Sequence, residues 1–288
     1  TYRKRGSYCM IHAIIFSKDR PWQLKEYLRT LILYIKGDYQ ISVIYKASTE
    51  ELQKAYTHLE NSYFGCYPQI NFENESKKSF EQLFRDAVKK PSRYILFGVD
   101  DVLFYNRFNL DDAASYLDIY SEVEAVSLRL HLGITYCQPG NCCSRPNLIT
   151  LPGDNNQYYV TTGGMGDFGY GFDLSASLYR QKDIVSLLDL PEAKLDHPNN
   201  IEGYLASYYT KNNRNIIAFS KFPVCSTITI NRVQEVCKNP LAGQEYSVDK
   251  LLEFYWDGKE YDETEYSYLQ QNELQFNAIH IGYVSLKH

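Results

Sequence analysis

Residues 94–101 read YILFGVDD, a mostly apolar run followed directly by two aspartates. A run of this kind is typical of a strand that is buried on both faces of a sheet. Strand and helix patterns alternate before it, which predicts a right-handed βαβ arrangement in a mostly parallel sheet. The strands are predicted at residues 9–16, 41–45, 69–72 and 94–99, and the helices at residues 22–34, 48–59 and 79–89.

The chain after residue 101 has a looser pattern but no repeat, low-complexity tract or linker. Residues 257–265 are expected to form an acidic polar loop, because they combine charged and turn-forming side chains. A single domain is therefore expected. The remaining helices are predicted at residues 111–119, 174–190, 201–211 and from 251, and the strands at residues 125–130, 158–162 and 216–222.

The composition limits the function classes. The 288 residues are 44% apolar and 23% charged, which is a globular profile. The net charge of −5 disfavours a general nucleic-acid binder, because such proteins carry a basic excess. No run of about 18 apolar residues exists, so no transmembrane segment is expected. Seven cysteines without a CxxC pair disfavour a disulfide framework or a structural zinc site. They predict a reduced cytoplasmic protein, with peripheral membrane association left open.

The aspartates at 100 and 101 form the first candidate site. Ligands of open α/β sheets bind at the carboxyl ends of strands, which is where this pair is predicted to lie. Two adjacent carboxylates repel each other unless a cation lies between or near them. A divalent metal that also contacts a diphosphate is one such cation. The alternative is a solvated turn that ends the strand, and the pair alone does not decide between them.

The loop after the first strand, Ser17-Lys18-Asp19-Arg20-Pro21, lies at a second carboxyl end. Arg20 suits a phosphate, because its guanidinium donates two parallel hydrogen bonds. The alternative is a plain connection in which Asp19 or Ser17 caps the next helix.

Residues 164–169 match G-x-G-x-x-G, the pattern of a dinucleotide-binding loop. That loop requires a helix at its third glycine and a place in the first βαβ unit, and neither is predicted here. A flexible loop that closes over a ligand is the better interpretation.

Two further residues have both a functional and a structural interpretation. Glu202 is predicted in the first turn of a helix, where the helix dipole alone favours a carboxylate. His280 lies in an apolar stretch, where a lone histidine is more often structural than a ligand.

In chain order these pieces resemble the GT-A-type glycosyltransferases, which use nucleotide-sugar donors. The resemblance rests on the opening strand and loop (14–21), the Asp-x-Asp region (95–101), the helix start (200–202) and residues 280–282. It covers most of residues 9–222 and the end of the chain. One departure is Val99, which stands where the strict motif has its first aspartate.

The resemblance implies an α/β fold, a single GT-A-like domain over residues 1–288 with a mostly parallel twisted sheet flanked by helices. It implies a nucleotide-binding half at about residues 8–101, an acceptor half at 102–222 and a C-terminal extension at 223–288 that closes the site. The residues implied in nucleotide contact are Ser17, Lys18, Asp19, Arg20 and Asp100.

The resemblance also implies a metal-dependent reaction. Asp101 and His280 are implied as ligands of Mn²⁺ or Mg²⁺, and Glu202 as the base that activates the acceptor, with Asp167 in reserve. The implied reaction moves a sugar, with inversion, from a nucleotide-sugar donor to a glycan or to a lipid- or protein-linked acceptor. UDP is the default nucleotide because it is the commonest in this class.

Other functions stay open. A sugar-nucleotide nucleotidyltransferase would carry a glycine-rich loop after the first strand, but residues 17–22 contain no glycine. A non-catalytic module that binds a nucleotide or a sugar could have the same sequence, and only turnover distinguishes it. An adhesion or scaffold protein would show no metal-dependent nucleotide binding.

Overall fold

The structure is a computed structural model that describes residues 10–151, 153, 158–234, 241–272 and 278–287. Cys9, the first residue of the strand predicted at 9–16, lies outside the described residues, as does Cys237.

The strands are β1 Ile11–Lys18, β2 Ile35–Lys36, β3 Tyr39–Lys46, β4 Ile70–Asn74, β5 Tyr94–Val99, β6 Val102–Phe104, β7 Phe108–Asn109, β8 Ala125–Ser127, β9 Tyr136–Cys137, β10 Cys142–Cys143, β11 Arg145–Ile149, β12 Tyr158–Met165, β13 Ser177–Arg180, β14 Ile216–Phe219, β15 Cys225–Ile228 and β16 His280–Ile281. The helices are α1 Pro21–Tyr34, α2 Glu50–Tyr63, α3 Phe80–Val88, α4 Leu110–Ile119, α5 Gln181–Leu188, α6 Pro198–Lys211, α7 Val248–Trp256 and α8 Glu263–Asn272, with a 3-10 turn at Gly166–Gly169.

The main sheet has nine strands in the order β11-β12-β14-β8-β13-β5-β1-β3-β4. The last four strands in this order, β5, β1, β3 and β4, are parallel to one another. β13 runs antiparallel to both β5 and β8, whereas β14 is parallel to β8. β12 is antiparallel to its two neighbours, β14 and β11. Seven of the nine strands therefore point in one direction. This confirms the predicted α/β class with a large, mostly parallel central sheet.

Both faces of the sheet are covered by helices. β1 contributes Ile11, Ala13 and Ile15 to the core on one face and Ile14 and Phe16 to the core on the other. Residues of α1, α2 and α4 belong to the first core, and residues of α3, α5 and α6 to the second. Burial on both faces explains why the strand is continuously apolar.

The cap of α2 differs from the prediction by one residue. The S-x-x-E pattern predicts Ser48 as the cap, but Thr49 Oγ1 accepts the hydrogen bond from Leu52 N at 3.3 Å. Ser48 instead donates from its hydroxyl to Asp19 Oδ2 at 2.7 Å. This bond ties the loop after β1 to the start of α2.

The single helix expected at residues 174–190 is wrong. Ala176 has a φ of 58°, β13 follows it, and α5 begins only at Gln181. Periodicity does not separate a short buried strand from a helical turn, and the pairing with β5 and β8 decides the outcome here. The loop expected at residues 257–265 is also shorter than predicted, because α8 begins at Glu263.

A second sheet of three strands connects distant parts of the chain. β6 directly follows Asp101 and pairs with β15, which pairs with β16. Ile228 N also donates to the Asp101 carbonyl at 2.7 Å. This small sheet brings His280, at the start of β16, to the end of the main sheet where the two aspartates lie.

Within the described residues, no helix is both long enough and apolar enough to cross a membrane.

Candidate active site

A cleft of about 650 Å³ opens at the carboxyl ends of β1, β3 and β5. This is the edge of the sheet at which ligands are expected. The predicted site residues that line it are Ser17, Lys18, Arg20, Asp100, Asp101, Asp167, Glu202 and His280.

Asp19 is placed differently from the other predicted residues. It has a φ of 54°, and its carboxylate accepts hydrogen bonds from Ser48 N at 2.6 Å and Ser48 Oγ at 2.7 Å. It is not among the residues that line the cleft. Its position therefore indicates a role in holding the loop, and it does not support the predicted contact with a nucleotide.

Arg20 lies between the two aspartates. Its Nη1 donates to Asp100 Oδ1 at 3.0 Å and to Asp101 Oδ2 at 3.2 Å. The Arg20 side chain is 12% exposed, that of Asp100 4% and that of Asp101 15%. Charges that are buried to this extent are only weakly screened by salt. Arg20 therefore places a positive charge beside both carboxylates, whereas the prediction for this position was a divalent metal.

The two carboxylates differ in their surroundings. Burial raises the pKa of Asp100 to about 6, and the charge of Arg20 opposes that rise. Asp100 Oδ2 accepts a hydrogen bond from Lys18 N at 3.3 Å. In the part of the chain that the structure describes, Asp101 Oδ1 is buried without a hydrogen-bond partner. A buried oxygen without a partner is costly, and a bound cation would supply the partner that Asp101 Oδ1 lacks.

His280 lines the same cleft from β16. Its Nδ1 lies 3.0 Å from Thr229 Oγ1, so Nε2 is the ring nitrogen left for another contact. Burial lowers the pKa of His280 to about 3, so its ring is neutral at pH 7, the form that binds metals.

A bound Mn²⁺ or Mg²⁺ would need donor atoms from the cleft. Among the described ranges, no three His, Cys, Asp or Glu side chains are grouped so as to hold a metal. The orphaned Asp101 Oδ1 and the neutral ring of His280 offer two donors. A cation held by these two donors would have to take its other ligands from a diphosphate and from water, as Mg²⁺ commonly does.

Glu202 lies in the second turn of α6, not in the first as predicted, because the helix begins at Pro198. Its Oε1 accepts a hydrogen bond from Leu174 N at 3.0 Å. Burial and then the charge of Asp173 raise the pKa of Glu202 to about 7. The helix dipole acts mainly within the first turn, so it acts more weakly on Glu202 in the second turn than the structural alternative assumed. A carboxyl with a pKa near 7 is suited to accept a proton at neutral pH.

Arg129 and Asp173 form a buried ion pair that sequence analysis missed. Arg129 Nη2 and Nε donate to Asp173 Oδ2 at 2.7 and 3.2 Å, and Nη1 donates to Thr227 Oγ1 at 2.7 Å. Both charged residues line the cleft. One signal was available, since an arginine inside the apolar strand predicted at 125–130 requires a buried partner.

Asp167 is the other candidate base. Its carboxylate accepts contacts from Cys137 Sγ at 3.4 Å and Ser144 Oγ at 3.3 Å. Burial raises its pKa. The Cys137 and Cys142 thiols are both free, although the two residues lie opposite each other in the β9–β10 ladder.

The chain is similar in sequence to a known glycosyltransferase. The bifunctional glycosyltransferase pgtA of Dictyostelium discoideum is 31% identical over an alignment 318 residues long, gaps included, which covers 94% of this chain. This chain is a glycosyltransferase homologue. The predicted resemblance to glycosyltransferases is thereby confirmed. The chain spans 38% of the length of pgtA.

Solved structures give distant matches to this glycosyltransferase homologue. The mannosyltransferase PcManGT from Pyrobaculum calidifontis, in complex with GDP-Man and Mn²⁺, has a TM-score of 0.47 and 12% identity, covering 76% of this chain and 57% of that chain. Glucosyl-3-phosphoglycerate synthase from Mycobacterium tuberculosis, in complex with Mg²⁺ and UDP, has a TM-score of 0.48 and 11% identity. This match covers 79% of this chain and 73% of that chain. No protein-family model matches the chain.

Proposed function

We propose that this chain transfers a sugar from a nucleoside diphosphate sugar to a hydroxyl group of an acceptor, with inversion at the anomeric carbon. The observation that carries the proposal is that one cleft contains both a charged cluster at Arg20 and a carboxyl at Glu202 whose pKa is about 7. Homology to pgtA supports the transferase class. Because the chain spans 38% of pgtA, its donor and acceptor are part of this proposal.

The donor is proposed to bind with its diphosphate near Arg20 and Lys18. Negative charge builds up on the diphosphate as its bond to the sugar C1 breaks, and nearby positive charge stabilises it. Among the described residues, Lys18 forms no ion pair, so its ammonium group is available to a phosphate. A divalent metal held by Asp101 and His280 would supply further electrostatic stabilisation of the diphosphate when bound.

Glu202 is proposed as the base. Its carboxylate takes the proton of the acceptor hydroxyl as the hydroxyl oxygen forms a bond to C1. The bond between C1 and the diphosphate oxygen breaks at the same time, and that oxygen keeps the electron pair. Attack from the side opposite the diphosphate inverts the configuration. Asp167 is the weaker candidate, because its carboxylate already accepts contacts from Cys137 and Ser144.

UDP is proposed as the donor nucleotide, and a glycan or a lipid- or protein-linked hydroxyl as the acceptor. The cytoplasmic location stays a prediction from the cysteine pattern.

Calorimetric titration with UDP, GDP and CDP, each with and without Mn²⁺, tests the donor site. We expect one nucleotide to bind in a metal-dependent manner, and Asp101→Ala to abolish this binding. Asp189→Ala is the matched control, because Asp189 is 64% exposed and pairs with Arg85. Failure of all three nucleotides to bind would contradict the proposal.

Turnover tests the base. Glu202→Gln is expected to bind the nucleotide with the affinity of the wild type. Its rate of sugar transfer, measured as the nucleotide released from the donor, is expected to be at least about 100-fold lower, which is in the usual range for a lost general base. Unchanged turnover in Glu202→Gln would remove Glu202 from the mechanism, and Asp167→Asn would then be tested.

A further inference from the structure

Arg20 is held by two separate parts of the chain. One side of its guanidinium contacts Asp100 and Asp101, as described above. On the other side, Nε donates to Asn231 Oδ1 at 3.1 Å, and Nη2 donates to the Asn231 carbonyl. Asn231 is itself fixed, because its Nδ2 donates to the Tyr246 carbonyl at 2.7 Å. The guanidinium is therefore positioned against the aspartates and is not a mobile surface charge.

The charges of this cluster are not balanced. Two carboxylates face one guanidinium, and Arg20 Nη1 occupies only one oxygen of each. Asp101 Oδ1 is left buried without a partner among the described residues. A cation that binds this oxygen would be attracted by Asp101 and repelled by Arg20, which lies 3.2 Å from the other oxygen of the same carboxylate.

We infer that Arg20 is a built-in counter-ion that weakens metal binding at Asp101 until a diphosphate is bound, and so couples the two ligands. The inference rests on the proposed function. A diphosphate beside Arg20 neutralises the guanidinium, and the repulsion between Arg20 and the metal falls. The metal then binds more tightly with the nucleotide than without it, and by linkage the nucleotide binds more tightly with the metal. The free cleft thus selects the metal–nucleotide complex over the metal alone.

The test measures Mn²⁺ affinity without any nucleotide, from the electron paramagnetic resonance signal of free Mn²⁺. Arg20→Gln removes the positive charge, and we expect it to bind Mn²⁺ about tenfold or more tightly than the wild type. Arg20→Lys keeps the charge and is expected to stay close to the wild type. Arg85→Gln is the matched control, because Arg85 forms its ion pairs with Glu81 and Asp189 on the surface.

Arg20→Gln leaves two buried carboxylates without a counter-ion and can fail to fold. The comparison is therefore repeated in an Asp100→Asn background, in which only one carboxylate is charged. Asp100→Asn with Arg20→Gln is expected to bind Mn²⁺ about tenfold or more tightly than Asp100→Asn alone. Equal or weaker Mn²⁺ binding in a folded Arg20→Gln or in this double variant overturns the inference.

Adding UDP to the same titrations separates the inference from the proposed function. In the wild type, UDP is expected to raise the affinity for Mn²⁺. In Arg20→Gln, the ratio of the Mn²⁺ affinities with and without UDP is expected to be smaller than in the wild type by about fivefold or more. If UDP does not bind the wild type at all while Mn²⁺ affinity still rises in Arg20→Gln, the proposed function fails and the counter-ion role of Arg20 stands. If this ratio is the same in Arg20→Gln as in the wild type, the proposed coupling is overturned.

Discussion

Replacing Asp173 with asparagine is expected to lower the pKa of Glu202 by about one unit. The pKa of Glu202 is raised from 4.5 to about 7, with burial as the largest cause and the charge of Asp173 as the next. A nearby like charge typically raises the pKa of a carboxyl by about one unit, which corresponds to about 1.4 kcal/mol. The change also leaves Arg129 without its carboxylate partner, and the unpaired guanidinium acts on Glu202 in the same direction.

The pKa can be measured without knowing the acceptor. Protein labelled with ¹³C at the glutamate carboxyls is titrated by NMR, and one resonance of the wild type is expected to titrate near pH 7. Turnover gives the functional counterpart, because the rate rises with pH as Glu202 ionises. In Asp173→Asn, both midpoints are expected to fall by about one unit. Asp189→Asn, at a side chain that is 64% exposed, is the control and is expected to leave both unchanged.

Three results would refute the reasoning. If no glutamate titrates near pH 7, burial does not raise the pKa of Glu202. If the resonance near pH 7 persists in Glu202→Gln, it belongs to another residue. If the midpoint is the same in Asp173→Asn as in the wild type, the charge of Asp173 does not act on Glu202.

The remaining predictions concern stability. Gly98→Ala is expected to lower the free energy of unfolding by about 1–3 kcal/mol through overpacking. A Cβ at this position would lie 2.2 Å from Tyr27 Oη. Urea denaturation measures the change. Glu26→Ala is expected to lower the free energy of unfolding by about 2 kcal/mol. The buried carboxylate pairs with Arg29 at 2.7 Å and accepts a hydrogen bond from a buried backbone N–H. Thermal denaturation measures the change. Burial lowers the pKa of His131 from 6.5 to about 4, so stability is lost as the pH falls through this range. His131→Asn should make the melting temperature depend less on pH.

Matched controls separate these effects from general damage. Gly203→Ala lies in α6, where an added Cβ meets no atom within 4 Å, and it is expected to leave stability unchanged or to raise it. Glu253→Ala removes a carboxylate that is 61% exposed and is expected to change stability by less than about 0.5 kcal/mol. Losses as large as those of Gly98→Ala or Glu26→Ala in these controls would contradict the packing argument.

The parallel half of the fold could be predicted because its signals are local. β5 has the predicted bounds, and β1 and β3 differ from theirs by two residues or fewer at each described end. A strand buried on both faces is a continuous apolar run, and the runs of β1 and β3 are each followed directly by a helix. β13 could not be found in this way. Its four residues form a strand only because β5 and β8, which are distant in sequence, leave a place between them.

The same difference explains which parts of the site could be predicted. Arg20, Asp100 and Asp101 follow adjacent parallel strands, and the carboxyl ends of such strands meet at one edge. Arg129 stands out locally as a charge in an apolar run, but its partner Asp173 is set by how residues after β8 and before β13 pack together, which no local pattern shows.

The small sheet of β6, β15 and β16 has a consequence for the synthesis of the protein. The four parallel strands β1, β3, β4 and β5 all lie within residues 11–99, so they can pair early on the ribosome. β6 cannot pair with β15 until residues 225–228 have been synthesised, and β15 cannot pair with β16 until residues 280–281 have been synthesised. Pairing over such distances is slow, and partly folded chains expose apolar surface in the meantime. A nascent chain therefore completes its parallel strands well before its cleft, and its greatest risk of aggregation falls between these two events.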